Sequence, residues 1–383
     1  MKIREIHVKK FRNHAQTDVV FGEGINAVLG ENGEGKTNLL EAISYLCLTK
    51  SFFGSADGVV LQVGENRFEI TGELEADGGI RYHIGVAYRQ SDGDKQFMIN
   101  KSPVEKFSEV VGQFPVVVLS PESGAITTGG PIDRRRFLDF VISQSSKVYL
   151  EDLLEYRRVL RQRNRLLFES KVNRSDCTEL LEPWDEELIE RGSRITHRRR
   201  AFLKELQPIV HESYGKIAGR VEAPTIEYQP SVGQSDGVSE EELRTVFRKE
   251  LGRKSGEERR LGITLVGPHR DELDLAINKL GVRSHASQGQ HKTFLIALKV
   301  AEFLYLQNKR NERPILLLDD IFTELDNHRA ERLLLLTESV GQAFITATSE
   351  RVFPSDFDWA GPNRRFIVQK GMVAHAETSS HAS

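Results

Sequence analysis

At 383 residues the chain is long enough for a large core and for more than one domain. Charged residues make up 28% and hydrophobic residues 39%, ordinary usage for a globular protein, and no apolar run approaches the ~18 residues of a membrane span. The net charge of −3 excludes a global positive field, so any nucleic-acid contact must come from local patches.

The two cysteines, Cys47 and Cys177, lie far apart in sequence and show no metal-ligand spacing, which suits a reducing compartment. The opening residues, Met-Lys-Ile-Arg-Glu, lack the apolar core of a signal peptide. The expectation is a soluble cytoplasmic protein with no membrane partner.

Residues 1–29 are expected to form two strands, with Ile6 and Val8 alternating in the first and residues 25–29 buried as the second. Between them lies a polar turn, Lys10-Phe11-Arg12-Asn13-His14, close enough in sequence to fold back over the loop that the second strand enters. That loop is Gly30-Glu31-Asn32-Gly33-Glu34-Gly35-Lys36-Thr37, which fits G-x-x-x-x-G-K-[ST] at every fixed position. Glycines let such a loop turn sharply and point its N–H groups inward as an anion cradle. Lys36 would reach the β- and γ-phosphates of a nucleoside triphosphate, and the Thr37 hydroxyl would ligate Mg²⁺. Leu39, Leu40, Ile43 and Leu46 recur at helical spacing, so a helix leaves the loop with its positive end on the phosphates.

Two alternating stretches come next, Phe68, Ile70 and Leu74, then Ile80, Tyr82, Ile84, Val86 and Tyr88. With the turn at 76–79 and a third strand at 96–100 they predict an antiparallel sheet. Residues 115–119 read as a central buried strand.

The character changes near residue 150. Residues 150–260 carry 22 acidic and 22 basic side chains, and helical periodicity dominates, with Pro208 predicting a break or kink in the stretch from 180 to 218. Residues 233–237 read as a loop. Compact α/β character resumes at about 261, with a turn at 267–271, a strand around Leu273 and Leu275, and a long amphipathic helix from Gln288 to about Gln307. Residues 315–318 read as a buried parallel strand that delivers Asp319 to its carboxyl end. A carboxylate there would complete the magnesium site begun by Thr37, although a turn residue ending the strand would look the same. Asp320 is either the group that orients and deprotonates an attacking water or a helix cap or surface acid. Ser287, Gln288 and Gly289 open the long helix, where Ser287 can cap it, face an anion, or do both. A further strand at 343–346, an edge hairpin at 365–373 and a disordered tail at 374–383 complete the chain.

In its order of motifs the chain resembles the ABC-type ATPase heads, and most closely the RecF family of bacterial DNA-repair proteins. The resemblance rests on Phe11-Arg12-Asn13, residues 30–43, Lys50-Ser51-Phe52, Ser120-Pro121-Glu122, the run 134–139, residues 267–271, Ser287 to Gln290, and residues 316–326. It implies an α/β head built from both chain ends, 1–148 and 261–373, with an inserted helical arm at 149–260. It also implies ATP and Mg²⁺ as cofactors, with Gly30, Glu31, Asn32, Gly33, Glu34, Gly35, Lys36, Thr37, Arg12 and Asn13 at the nucleotide, and Thr37 and Asp319 at the metal. Lys36 and Asp320 would serve hydrolysis. Ser287, Gly289 and the D-loop residue Asp326 would meet the nucleotide of a second copy in an ATP-dependent homodimer. The family binds single- and double-stranded DNA at gaps or junctions and helps a RecR-like recombination mediator load recombinase. The basic clusters 134–136, Arg157 to Arg165, and Arg191 to Arg200 are candidate DNA patches, each also readable as a solvated helix face.

Two departures bear on rate. Transporter ATPases carry Glu where Asp320 stands and a His where this chain has Thr346-Ala347-Thr348-Ser349. They imply slow hydrolysis and a timed clamp, and they count against the alternative, the nucleotide-binding subunit of an ABC transporter.

Overall fold

The computed structural model describes residues 1–219, 221–233, 237–359 and 361–376. They form two compact units. The first comprises Met1–Gly124, Glu212–Val221 and the described residues from Lys292 on; the second comprises Ala125–His211 and Glu222–His291.

A parallel sheet forms the centre of the first unit. Its strands lie in the order Arg364–Gln369, Ile25–Leu29, Ala343–Ala347, Ile315–Leu318 and Val116–Leu119, with Met372–His375 antiparallel at one edge. Four of these strands are buried at every residue, which is why they read as continuous apolar runs rather than alternations. An antiparallel sheet accompanies it, in the order His14–Val20, Lys2–Phe11, Arg67–Glu75, Arg81–Arg89, Asp94–Ile99 and Ser102–Pro103.

The helix Lys36–Leu48 packs between the two sheets. Phe11, Tyr45 and Phe68 meet edge to face with centroids 5.3–5.4 Å apart. At Gly72 a side chain would come within 2.6 Å of Leu46, so the absent Cβ sets how closely the helix approaches the strand.

Residues 1–29 hold three strands rather than the expected two. The turn at 10–14 is a tight hairpin in which Phe11 pairs with His14 and Lys10 and Arg12 take positive φ. Its second strand, His14–Val20, buries only His14, Thr17 and Val19, so two of its three inward positions are polar and mask the alternation.

The second unit is wider than the arm expected at 149–260. Pro131–Ser145 joins it because Tyr149 donates a hydrogen bond to Asp139 at 2.6 Å. The chain beyond 261 joins it because Glu272–Ile277 pairs with Pro224–Gln229 and Leu280–Gly281 in a three-stranded sheet. The strand at 224–229, which opens on proline and carries Glu227, is too short and polar to stand out in a helical region. The helix Thr178–Ala218 passes through both Pro183 and Pro208 without ending. Ala374 and His375 do not belong to the expected tail, since Met372–His375 is a strand; residues 377–383 and part of the expected loop 233–237 lie outside the described residues.

Two buried arginines hold this unit together. Arg163 bonds Asp185 at 2.6 Å, Glu258 at 2.7 Å and Thr264 at 2.8 Å; Arg199 bonds Asp139 at 2.8 Å and Asp271 at 3.0 Å. Removing one partner of such a group leaves the other charge stranded in low dielectric. Arg163→Ala, which strands the fully buried Glu258, is expected to lower the unfolding free energy by about 3–5 kcal/mol in urea titration. A loss below about 1 kcal/mol would show that Glu258 finds water instead.

Candidate nucleotide site

Strand Ile25–Leu29 ends where the loop 30–37 begins, at the carboxyl edge of the parallel sheet. Gly33 (φ +84°) and Gly35 (φ +114°) take left-handed conformations that side chains resist. A Cβ on Gly35 would also lie 2.5 Å from Asn13 Oδ1. The helix Lys36–Leu48 starts at Gly35 with no side-chain cap and no acid in its first turn. Its N–H donors and positive dipole end are therefore directed at the loop, as an anion site requires.

Lys36 Nζ donates to the carbonyls of Gly30 at 2.7 Å and Glu31 at 2.9 Å, arching over the loop. Burial lowers its pKa, while Asp320, Asp319, Glu31 and Glu34 pull the other way. Thr37 Oγ1 donates to Asp319 Oδ1 at 2.8 Å, joining residues 282 apart in sequence. Asp319 is 3% exposed, and burial raises its pKa, opposed by the hydroxyls of Thr37 and Thr346. Thr346 donates to the same oxygen at 2.8 Å and accepts from the Asp320 backbone N–H at 2.8 Å. Asp320 itself takes φ +50°, and its carboxylate accepts from the Thr323 hydroxyl at 3.2 Å rather than from a helix N–H.

Among the described residues no group of three or more His, Cys, Asp and Glu could hold a metal by itself. One hydroxyl and one buried carboxylate do fit Mg²⁺, which takes few protein ligands and completes its shell with phosphate and water.

The other expected residues divide. Asn13 is at the loop, donating to Glu34 O at 2.8 Å and accepting from Asn38 at 2.9 Å. Arg12 is committed further along the helix, where one edge of its guanidinium, Nε and Nη2, grips both oxygens of the buried Glu41 at 2.7 and 2.9 Å. Asp326 caps the helix Asn327–Val340, accepting from the Arg329 N–H at 3.0 Å. Ser287 and Gly289 belong to the second unit, where Ser287 and Gln290 cap each other reciprocally at 2.9 and 3.2 Å. The cap reading of Ser287 therefore holds, and the residue is also exposed.

Sequence reasoning missed three supports of the loop. Thr346 is the second hydroxyl on Asp319; its signal was one polar residue in an otherwise apolar strand. His14, fully buried, stands 3.0 Å from Gly35 O through Nε2 and 2.8 Å from Gly371 O through Nδ1. The turn at Lys370 and Gly371 bonds Glu34, with Gly371 N donating to Glu34 O at 2.9 Å. Nothing in the spacing of residues 14, 34 and 371 announces that they meet.

Comparison with known proteins agrees with this geometry. Residues 2–358 match the model of the RecF/RecN/SMC N terminal domain. The chain is 42% identical over 356 residues to the DNA replication and repair protein RecF of Chloroherpeton thalassium, covering 92% of this chain and 96% of that one. It is likewise 42% identical to the protein of that name from Salinibacter ruber, covering 92% and 86%. The chain belongs to the RecF family.

A solved structure of the recombination mediator protein RecF-ATP in the RecFOR pathway superposes with a TM-score of 0.90 at 34% identity, covering 98% of this chain and 97% of that one. An Smc head bound to the C-winged helix domain of ScpA matches at 0.57 and 14% identity, which extends the fold relationship alone. The RecF fold, an ABC-type ATPase head, is thus the fold of this chain, and the comparisons favour it over a transporter subunit.

Gly35→Ala is expected to abolish binding of a fluorescent nucleoside triphosphate, because the new methyl group meets Asn13 and the φ of +114° is denied to it. Binding at the parental affinity in that variant would place the phosphates elsewhere.

Proposed function

We propose that the protein is an ATP-dependent DNA-binding clamp of recombinational repair. The observation that carries this reading is the Thr37–Asp319 hydrogen bond, which sets a hydroxyl and a buried carboxylate side by side at the mouth of the phosphate loop in a RecF-family chain. Thr37 and Asp319 would hold Mg²⁺, which supplies charge neutralisation between the phosphates. The loop N–H groups and Lys36 would hold the phosphate chain, Asn13 would support the loop from the N-terminal hairpin, and Arg12 would brace that hairpin on Glu41 of the following helix.

The head would be formed from both chain ends, with the inserted unit as a second lobe. Ser287 and Gly289 of one copy would face the γ-phosphate held by Lys36 of another, with Asp326 at the same junction. ATP would thereby control pairing of two copies on single- or double-stranded DNA, at gaps or junctions, alongside a RecR-like mediator. Asp320 would orient the attacking water. A short carboxylate there, with Thr346 near the place of a switch His, fits slow hydrolysis that times release. No helix among the described residues is long and apolar enough to cross a membrane, which fits a cytoplasmic site of action on the nucleoid.

Sedimentation with and without ATP and magnesium tests the pairing. The expected result is a monomer that becomes a dimer with ATP and binds gapped DNA more tightly. Identical sedimentation and DNA affinity in both conditions would remove the clamp mechanism. Ser287→Arg should keep ATP binding by the single copy yet stay monomeric. Asp320→Asn should bind ATP normally and remain paired, with hydrolysis lost; unchanged turnover would take Asp320 out of the reaction.

A further inference from the structure

The arginines of the second unit sort by partner. Arg134 is buried and bidentate on Glu272, at 2.9 Å to each oxygen. Arg163 and Arg199 are internal, each held by two carboxylates. Arg191, Arg194 and Arg198 converge on the single buried carboxylate of Asp152 at 2.9, 3.5 and 2.5 Å. These clusters are structural, although their sequence pattern is that of a nucleic-acid patch.

Arg135 and Arg200 are half-buried on backbone carbonyls instead, Arg200 on that of Gly233. Arg135 donates its guanidinium to the carbonyl of Asp271 at 2.6 Å. Among the described residues no carboxylate lies within ion-pair distance of it. Burial lowers its pKa and the neighbouring positive charge of Arg199 lowers it further, while Asp271, Glu272 and Asp139 pull the other way without reaching it as ion-pair partners. Two more arginines share the surroundings. Arg136 is 76% exposed and only 3.7 Å from Asp133, and Arg157 is 51% exposed on Asp139, a carboxylate already accepting from Tyr149 and Arg199.

Arg135, Arg136 and Arg157 line one cleft of about 200 Å³, walled on its apolar side by Ile132, Leu153 and Leu160; its one carboxylate, Asp139, is already paired with Arg157 and Arg199. That is smaller than the ~300–1,000 Å³ of pockets that enclose a whole small molecule. It has room for one anionic group and the carbons attached to it, presented by a larger partner. A bound anion would relieve both penalties on Arg135, the lost hydration and the repulsion from Arg199. Apolar walls beside guanidinium groups suit the sugar carbons and phosphate of a nucleic-acid backbone.

We propose that this cleft seats a backbone phosphate of DNA, with Arg135 and Arg136 as the contacting groups and Arg157 at its rim. The inference rests on the proposed DNA-binding function and gives it a location in the second unit.

The test is the salt dependence of binding to a short DNA duplex, followed by fluorescence anisotropy of the full-length chain. Removing one phosphate-binding group should reduce the slope of log affinity against log salt by about 1. Arg135→Gln and Arg136→Gln are each expected to do so, and the double variant to show about twice the reduction, while Arg253→Gln on an exposed helix face keeps the parental slope. Ile132→Glu sets a negative charge at the 57% exposed rim without removing an arginine, and should weaken binding even if Arg135→Gln perturbs folding.

A parental chain that fails to bind duplex at any salt overturns the DNA reading and this site with it. Parental binding whose slope survives in the double variant and whose affinity survives Ile132→Glu overturns the site alone. Binding of poly-glutamate that the double variant loses while its duplex slope is unchanged would assign the cleft to an acidic peptide and overturn the proposal.

Discussion

The hydrogen bond from Thr37 to Asp319 is the constraint to which the first unit is built. It spans 282 residues of sequence, joining the helix that follows the strand Ile25–Leu29 to the residue that follows the strand Ile315–Leu318, and these two strands are not neighbours. Ala343–Ala347 lies between Ile25–Leu29 and Ile315–Leu318, and Thr346 on that middle strand bonds Asp319 as well. Three separate lengths of chain must therefore enter one parallel sheet in register before the carboxylate has its partners. A buried carboxylate without them would be protonated or displaced. Assembly of the sheet and assembly of the site are one event.

The phosphate loop is also held by two hairpin turns. Asn13 and His14 come from the first hairpin, and Lys370 and Gly371 from the last. Both hairpin turns are tight, with Arg12 and Gly371 at positive φ. A loop rich in glycine has no preferred shape of its own, and these bonds to Glu34 and Gly35 supply the restraint that its sequence lacks. Preorganised donors cost no reorganisation when an anion arrives.

Much of this is legible in the sequence, and the remainder is hidden for physical reasons. The parallel strands at 25–29, 116–119, 315–318 and 343–347 are readable because burial on both faces leaves an uninterrupted apolar run, and the loop is readable because its glycines and Lys36 occupy fixed positions. His14–Val20 is hidden because it fills inward positions with His14 and Thr17. Pro224–Gln229 is hidden because its pairing partner, Glu272–Ile277, lies beyond the helix Glu240–Leu261. The meeting of Asn13, Glu34 and Gly371 is a matter of tertiary approach, which no local pattern encodes.

The arginines show the same limit in electrostatic form. Sequence density marks a region as charged but says nothing about where each charge is spent. Arg163 and Arg199 are among the largest fully buried side chains of the protein, and their charges are consumed by Asp185, Glu258, Asp139 and Asp271. A basic run therefore advertises a binding surface only after its internal pairs are subtracted. What distinguishes Arg135 is that it joins partial burial on a carbonyl, a state Arg200 shares, to a place beside Arg136 and Arg157 on one cleft. An exposed cation loses little by waiting in water, and a paired one is already satisfied. A half-buried cation without an anion is held at a free-energy cost that a ligand phosphate can recover, so it is at such positions that charge reports function.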